Sequence, residues 1–183
     1  MVFTPLHYVQ AYLLNKVFKG KLNAVGLLIG SMLPDIENPI LLMLGYHIPY
    51  DRLVLHSIFG SIAFSWILGM ILLQPYKAIV KLLTNVSIGN YSLPGYVFAV
   101  EVGSITHILI DSLHHEYNPL LWPFTYENVK LLAPIDPTAA TIILHILFSI
   151  ALMVIIYYEY MRTFGKVGSL KYFITKLLLL NNH

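Results

Sequence analysis

The 183-residue chain contains no cysteine, so it has neither disulfides nor thiolate metal sites, and any metal ion must be held by imidazole and carboxylate. Charge is scarce as well. Aspartate, glutamate, lysine and arginine make up 11% of the residues, against about 25% in ordinary soluble domains. The net charge of +2, with no basic face interleaved with aromatics, gives no support to nucleic acid as a partner. The N-terminus lacks both a positive region ahead of its apolar part and a small-residue cleavage site, so it reads as mature protein. Internal repeats and low-complexity tracts are absent. So are a nucleophile elbow, a phosphate-cradling glycine loop and a Ser-His-Asp order, which disfavours covalent acyl transfer.

What fills the chain instead is apolar: 57% hydrophobic residues and a mean hydropathy of +0.72. This is the composition of an integral membrane protein, and its length is used up by one domain over residues 1–183. The reading is all-α: a polytopic membrane helical bundle with four long spans plus a short N-terminal spanning or re-entrant helix. Thr4 to Lys16 gives about 20 Å of helix, too short for an ordinary span, with Thr4 as cap and Pro5 in the first turn. Leu22 to Tyr46 is apolar at both ends, and Pro34 and Pro39 in SMLPDIENP predict a break lining a cavity. Leu53 to Gln74, Leu93 to Leu113 and Thr138 to Met161 are the other long spans. Pro75 to Ser92 reads as a loop with some amphipathic helix, His114 to Pro137 as a long loop, and 162–183 as a basic amphipathic tail lying on the membrane surface.

The positive charges are unevenly placed. One set of connections holds Lys16, Lys19, Lys21, Lys77, Lys81, Arg162, Lys166, Lys171 and Lys176, whereas the other holds Arg52 and Lys130. The positive-inside rule therefore puts the C-terminus in the cytoplasm of a plasma-membrane protein. With the first segment crossing, His7, His56, His107, Asp111, His114 and His115 all fall at the non-cytoplasmic ends of their helices, and the break at Asp35 can line the same vestibule.

The stretch Gly103 to His115, GSITHILIDSLHH, carries three of those histidines. On a helix His107, Asp111 and His114 share one face. Ionisable groups at membrane depth cost roughly 2.5 to 3.5 kcal/mol each, so they pair, face a bundle interior or bind something. His7, Asp35, His56, His107 and Asp111 offer a ligand set for zinc, with Glu37 and His114 as extra ligands or general base. One or two divalent ions fit this count, and two can clamp the entering and leaving oxygens of a phosphoester while activating a water.

The runs HYVQAYLL, GLLIGSMLPDIENP, LVLHSIFGS and THILIDSLHHEYNPLLWPF resemble the family of small inner-membrane metal-dependent hydrolases, LexA-regulated in bacteria, that is likened to zinc-dependent phospholipase C. The resemblance covers about Thr4 to Phe124. It implies an all-helical hydrolase with metal ligands at His7, Asp35, His56, His107 and Asp111. Two departures stand out: Glu37 replaces the second aspartate of the PD-x-D motif, and where the family has HRG-x-x-HS this chain reads HIPYDRLVLHS, with His47 too far along to be its equivalent.

The expected function is thus metal-dependent hydrolysis of a phosphoester or related ester of a membrane lipid or lipid-linked substrate. Plainer readings stay open. His107 and Asp111 can be a hydrogen-bonded i to i+4 pair, and Asp35 and Glu37 can cap a restarting helix. The protein can be non-enzymatic, with the cluster a structural metal site or a cation or proton pathway, or the chain a subunit of a larger complex. His115 is expected to face solvent.

Overall fold

In the computed structural model, residues 6–47, 50–89, 91–127, 136–164 and 170–180 are described. Thr4, Pro5, Lys130, Lys166 and His183 lie outside these. The described residues are helical or irregular, without strands: α1 His7–Val17, α2 Ala24–Met32, a 3₁₀ turn at Pro34–Ile36, α3 Glu37–Met43, α4 Ile58–Thr84, α5 Leu93–Asp111, α6 Pro137–Phe164 and α7 Leu170–Leu179. Four segments are long and apolar enough to cross a membrane: Ala24–Met43, Ile58–Thr84, Leu93–Asp111 and Pro137–Thr163.

Local sequence explains where these helices start. Asn23, Ser57, Ser92 and Asp136 each accept a bond from the amide three residues on, at 2.9, 2.9, 3.3 and 2.9 Å. Such caps satisfy N–H groups that a helix cannot bond internally. Asn85, in the left-handed region at φ 61°, closes α4.

Of two expectations about proline, the first holds in a mild form and the second needs correction. The break around SMLPDIENP is a single 3₁₀ turn in which Leu33, Ile36 and Glu37 keep right-handed helical angles. Pro34 and Pro39 both fall in first turns, where the missing N–H has no intrahelical partner anyway. Pro75 does not end its span either: α4 runs on to Thr84, so most of the expected loop is helix.

α2 packs most closely on α5, and small residues make this possible. A Cβ on Gly103 would meet the Leu27 carbonyl oxygen at 2.7 Å and the Ser31 amide at 2.8 Å, so the two backbones touch there. Buried hydroxyls knit α4 to α5, with Ser61 and Ser65 each 2.8 Å from Ser104.

Helix directions gather the functional residues at one end. α1, α4 and α6 begin there, while α2 and α5 finish there. At the other end the tail is docked on the bundle. Lys176 of α7 is buried with its ammonium 3.4 Å from Glu159, which also takes the Tyr12 hydroxyl at 2.7 Å and faces Lys16 at 3.7 Å. Tyr8 and Asn15 donate to the carbonyls of Leu177 and Leu180 at 3.0 and 2.8 Å.

Candidate metal centre

The centre is built around the last turn of α5. His107 and Asp111 share a face, as their spacing demands. After Asp111 the chain keeps helical bonding for one more turn: the amides of His114 and His115 both donate to the Asp111 carbonyl, at 3.1 and 2.9 Å. His115 therefore stands at i+4 from Asp111 and returns to its face. It is buried, with Nε2 3.5 Å from Asp111 Oδ2, not turned to solvent as expected.

Four imidazoles are oriented by four different acceptors. Nδ1 of His107 donates to the Ser31 carbonyl at 2.7 Å, Nδ1 of His114 to the Ile110 carbonyl at 3.0 Å, Nδ1 of His56 to Glu37 at 3.0 Å and Nδ1 of His7 to Gln10 Oε1 at 3.2 Å. Gln10 cannot present its amide group to His7, because that group already donates to Gly103 O and Thr106 Oγ1. In the neutral tautomer that carries its proton on Nδ1, each Nε2 offers a lone pair. Acceptors of this kind behind an imidazole are the usual support of a metal ligand. Burial pushes His56, His114 and His115 below the ordinary histidine value, so all three favour the neutral, metal-binding form.

All of these lone pairs converge. Asp111 Oδ2 lies 3.4 Å from His107 Nε2 and 3.6 Å from His56 Nε2; Asp111 Oδ1 lies 3.8 and 3.9 Å from Nε2 of His7 and His114. Asp35 Oδ1 lies 3.5 Å from His107 Nε2 and 3.9 Å from His56 Nε2. Hydrogen bonds would draw such pairs to about 2.7–3.2 Å. Ligands about 2.1 Å from a shared tetrahedral ion stand about 3.4 Å apart, which is the spacing of the closer pairs. Accordingly, Nε2 of all five histidines and both oxygens of Asp35 and Asp111 are buried without a hydrogen-bond partner. Buried polar atoms are rarely left so, and here nine of them point at one another.

The atoms form two groups that can each hold a metal ion: Asp35, His56, His107 and Asp111, then Asp111, His114 and His115. Asp111 belongs to both.

The seven residues singled out from sequence thus meet in one place, though in unequal positions. Glu37 is held back from the cluster, because its oxygens accept the amides of Leu53, Val54, Leu55 and His56 at 2.6–3.3 Å as well as His56 Nδ1. Two residues went unread. Arg52 is buried with Nε 3.6 Å from Asp111 Oδ2 and Nη1 3.7 Å from Asp51, itself buried. A signal existed, since Arg52 stands four residues before His56, as the arginine of HRG-x-x-HS does.

The loop after α5 closes this end. Leu120 O accepts the Ile58 amide at 2.9 Å, and Thr141 of α6 donates to His114 O at 3.2 Å.

A family model described as YdjM inner membrane protein matches residues 5–180. The chain belongs to the YdjM inner membrane protein family. No curated protein and no solved structure matches it. Membership agrees with the inner-membrane part of the resemblance read from the sequence and with the four apolar spans, and says nothing of hydrolysis. This YdjM family member is therefore an all-helical membrane protein with a buried His/Asp cluster able to hold a metal ion.

Proposed function

We propose that this protein is a membrane-embedded, metal-dependent hydrolase that cleaves an ester or phosphoester bond of a lipid or lipid-linked substrate. The observation that carries the reading is the convergence of five unpartnered Nε2 atoms on two unpartnered carboxylates, one of them shared by both groups. Asp35, His56, His107 and Asp111 would hold one divalent ion, and Asp111, His114 and His115 a second, with His7 beside the second. Imidazole and carboxylate without thiolate suit zinc. When bound, such ions supply Lewis-acid polarisation and a water of lowered pKa.

The chain's own residues supply position. Glu37 orients His56, and its filled hydrogen-bonding capacity favours this role over that of a general base. His114 takes the place of a ligand instead of a free acid or base. The Leu120 and Thr141 contacts tie the segment after α5 to α4 and α6 beside the cluster.

A lipid substrate is supported by a cavity of about 430 Å³ between α2 and α4, walled by apolar side chains. Its lining runs from Leu33 and Ile36, in the segment that carries Asp35, to Tyr76 of α4 and Leu178 of α7, and includes none of the centre's own residues. Leu72 and Ile79 line it from α4, within a membrane span, so its natural occupant is an acyl chain. The uneven lysine and arginine distribution supports a cytoplasmic C-terminus and a centre on the opposite side.

Element analysis of the purified protein followed by turnover of a lipid extract tests the reading. About two divalent ions per chain and release of product that a chelator abolishes are expected. One observation favours a second reading, a closed structural site: every ligand residue is at most 7% exposed. That reading predicts bound metal with no turnover.

A further inference from the structure

Arg52 is 3% exposed, and arginine keeps its proton in protein interiors, so a full positive charge is buried beside the cluster. A buried ion needs good hydrogen bonds, yet two of the three guanidinium nitrogens of Arg52 make none. Its closest carboxylate oxygens, on Asp111 and Asp51, stand at 3.6 and 3.7 Å, beyond hydrogen-bond length. Nε, despite its ion pair with Asp111, and Nη2 make no hydrogen bond. These two nitrogens form one edge of the guanidinium, the fork that matches two oxygens of a phosphate or carboxylate group. Asp111 cannot complete the fork, because five imidazole nitrogens already face its two oxygens.

Resting on the two-metal reading above, we propose that Arg52 is an anion-binding residue that grips two oxygens of a phosphate-type group at the centre, making the substrate a phosphoester and not a carboxylic ester. Charge argues the same way. With two divalent ions bound, the four buried carboxylates Asp35, Glu37, Asp51 and Asp111 would stand against those ions and Arg52, leaving one positive charge in excess. A phosphodiester anion neutralises it. A neutral carboxylic ester would leave the excess charge buried and the Arg52 fork empty.

The reaction needs no co-reactant beyond water. A water oxygen bonds to phosphorus, the P–O bond to the leaving alcohol breaks, one water proton ends on that alcohol and the other stays with the phosphate. The products are a phosphomonoester and an alcohol. Arg52 would hold the two oxygens that neither enter nor leave.

The test uses full-length protein in detergent, loaded with cobalt as a spectroscopic substitute for zinc. Wild type, Arg52→Gln and Arg52→Lys are compared. Metal content is measured first, then calorimetric binding of three probes: inorganic phosphate, phosphatidylglycerol in micelles and, as the neutral control, diacylglycerol in micelles. At unchanged metal content, R52Q should bind both phosphate probes roughly tenfold or more weakly, with R52K between, because a charge-assisted fork is lost. Diacylglycerol binding should not change. Tighter phosphatidylglycerol than phosphate assigns the site to a lipid headgroup, and equal affinities to free phosphate.

Phosphate binding by R52Q equal to wild type overturns the proposal, as does an equal loss for diacylglycerol. Should R52Q fail to fold, R52K decides, since it keeps the charge and loses the fork; undiminished phosphate affinity then overturns the proposal. Wild type that takes up no metal overturns the two-metal reading and this inference with it, a failure the metal measurement separates from the others.

Discussion

Replacing Asp111 with asparagine tests the centre at its most connected point. The substitution keeps the side-chain shape, removes the charge and turns one acceptor into a donor. Nε2 atoms of His56, His107 and His115 stand 3.4–3.6 Å from one Asp111 oxygen, and those of His7 and His114 stand 3.8–3.9 Å from the other. Both metal groups therefore lose a ligand at once. Removing a supporting residue behind a ligand typically weakens metal binding 10- to 100-fold, so loss of a shared ligand should exceed about 100-fold, or about 2.8 kcal/mol. Folding stability inherits this change. Metal present at about 1,000 times its dissociation constant adds about 4.1 kcal/mol; a 100-fold weaker site retains only about 1.4 kcal/mol of that. For a chain of this size the missing 2.7 kcal/mol corresponds to roughly 5 to 10 °C in Tm. The assay is thermal unfolding in detergent with and without chelator, alongside element analysis of desalted protein. An Asp111→Asn variant with wild-type metal content and an undiminished chelator-induced shift in Tm would refute the reasoning.

Glu37→Gln should lower metal affinity about 10- to 100-fold through His56. Full metal content with turnover abolished would instead give Glu37 the general-base role. Gly103→Ala forces a Cβ against the Leu27 carbonyl and the Ser31 amide, so it should cost about 1–3 kcal/mol in thermal unfolding. An unchanged Tm would show that α5 can shift off α2 freely. Glu159→Gln leaves the buried Lys176 ammonium without its carboxylate and should cost about 3–5 kcal/mol and release α7 to limited proteolysis, whereas a protease-resistant tail would contradict the docking role. A fluorescent reporter fused to the C-terminus should light up in the cytoplasm, and an alkaline phosphatase reporter there should stay inactive; the reverse pattern would invert the orientation.

What the sequence revealed follows from which signals are local. The spans were readable because hydropathy is a property of a window, whereas the caps at Asn23, Ser57, Ser92 and Asp136 went unread, although each is a contact only three residues long. His107 and Asp111 were readable because a helix fixes their shared face. His115 was not, because its direction depends on whether the helix stops at Asp111 or bonds for one turn more, a choice made by the His115 amide and not by the pattern of residue types.

Glu37 shows a different limit. Its acidity between two prolines marked it as chemically significant, but its partners are backbone amides 16–19 residues away, and amides carry no sequence signature. Those four bonds hold residues 53–56 in place just before α4, and the same segment begins next to Arg52 and ends at His56. One carboxylate thus positions both a metal ligand and the neighbour of the guanidinium. That predicts coupling. Glu37→Gln and Arg52→Gln should be non-additive in phosphate affinity, because loosening residues 53–56 already displaces the fork that the second substitution removes. A strictly additive double mutant would mean that Glu37 serves His56 alone.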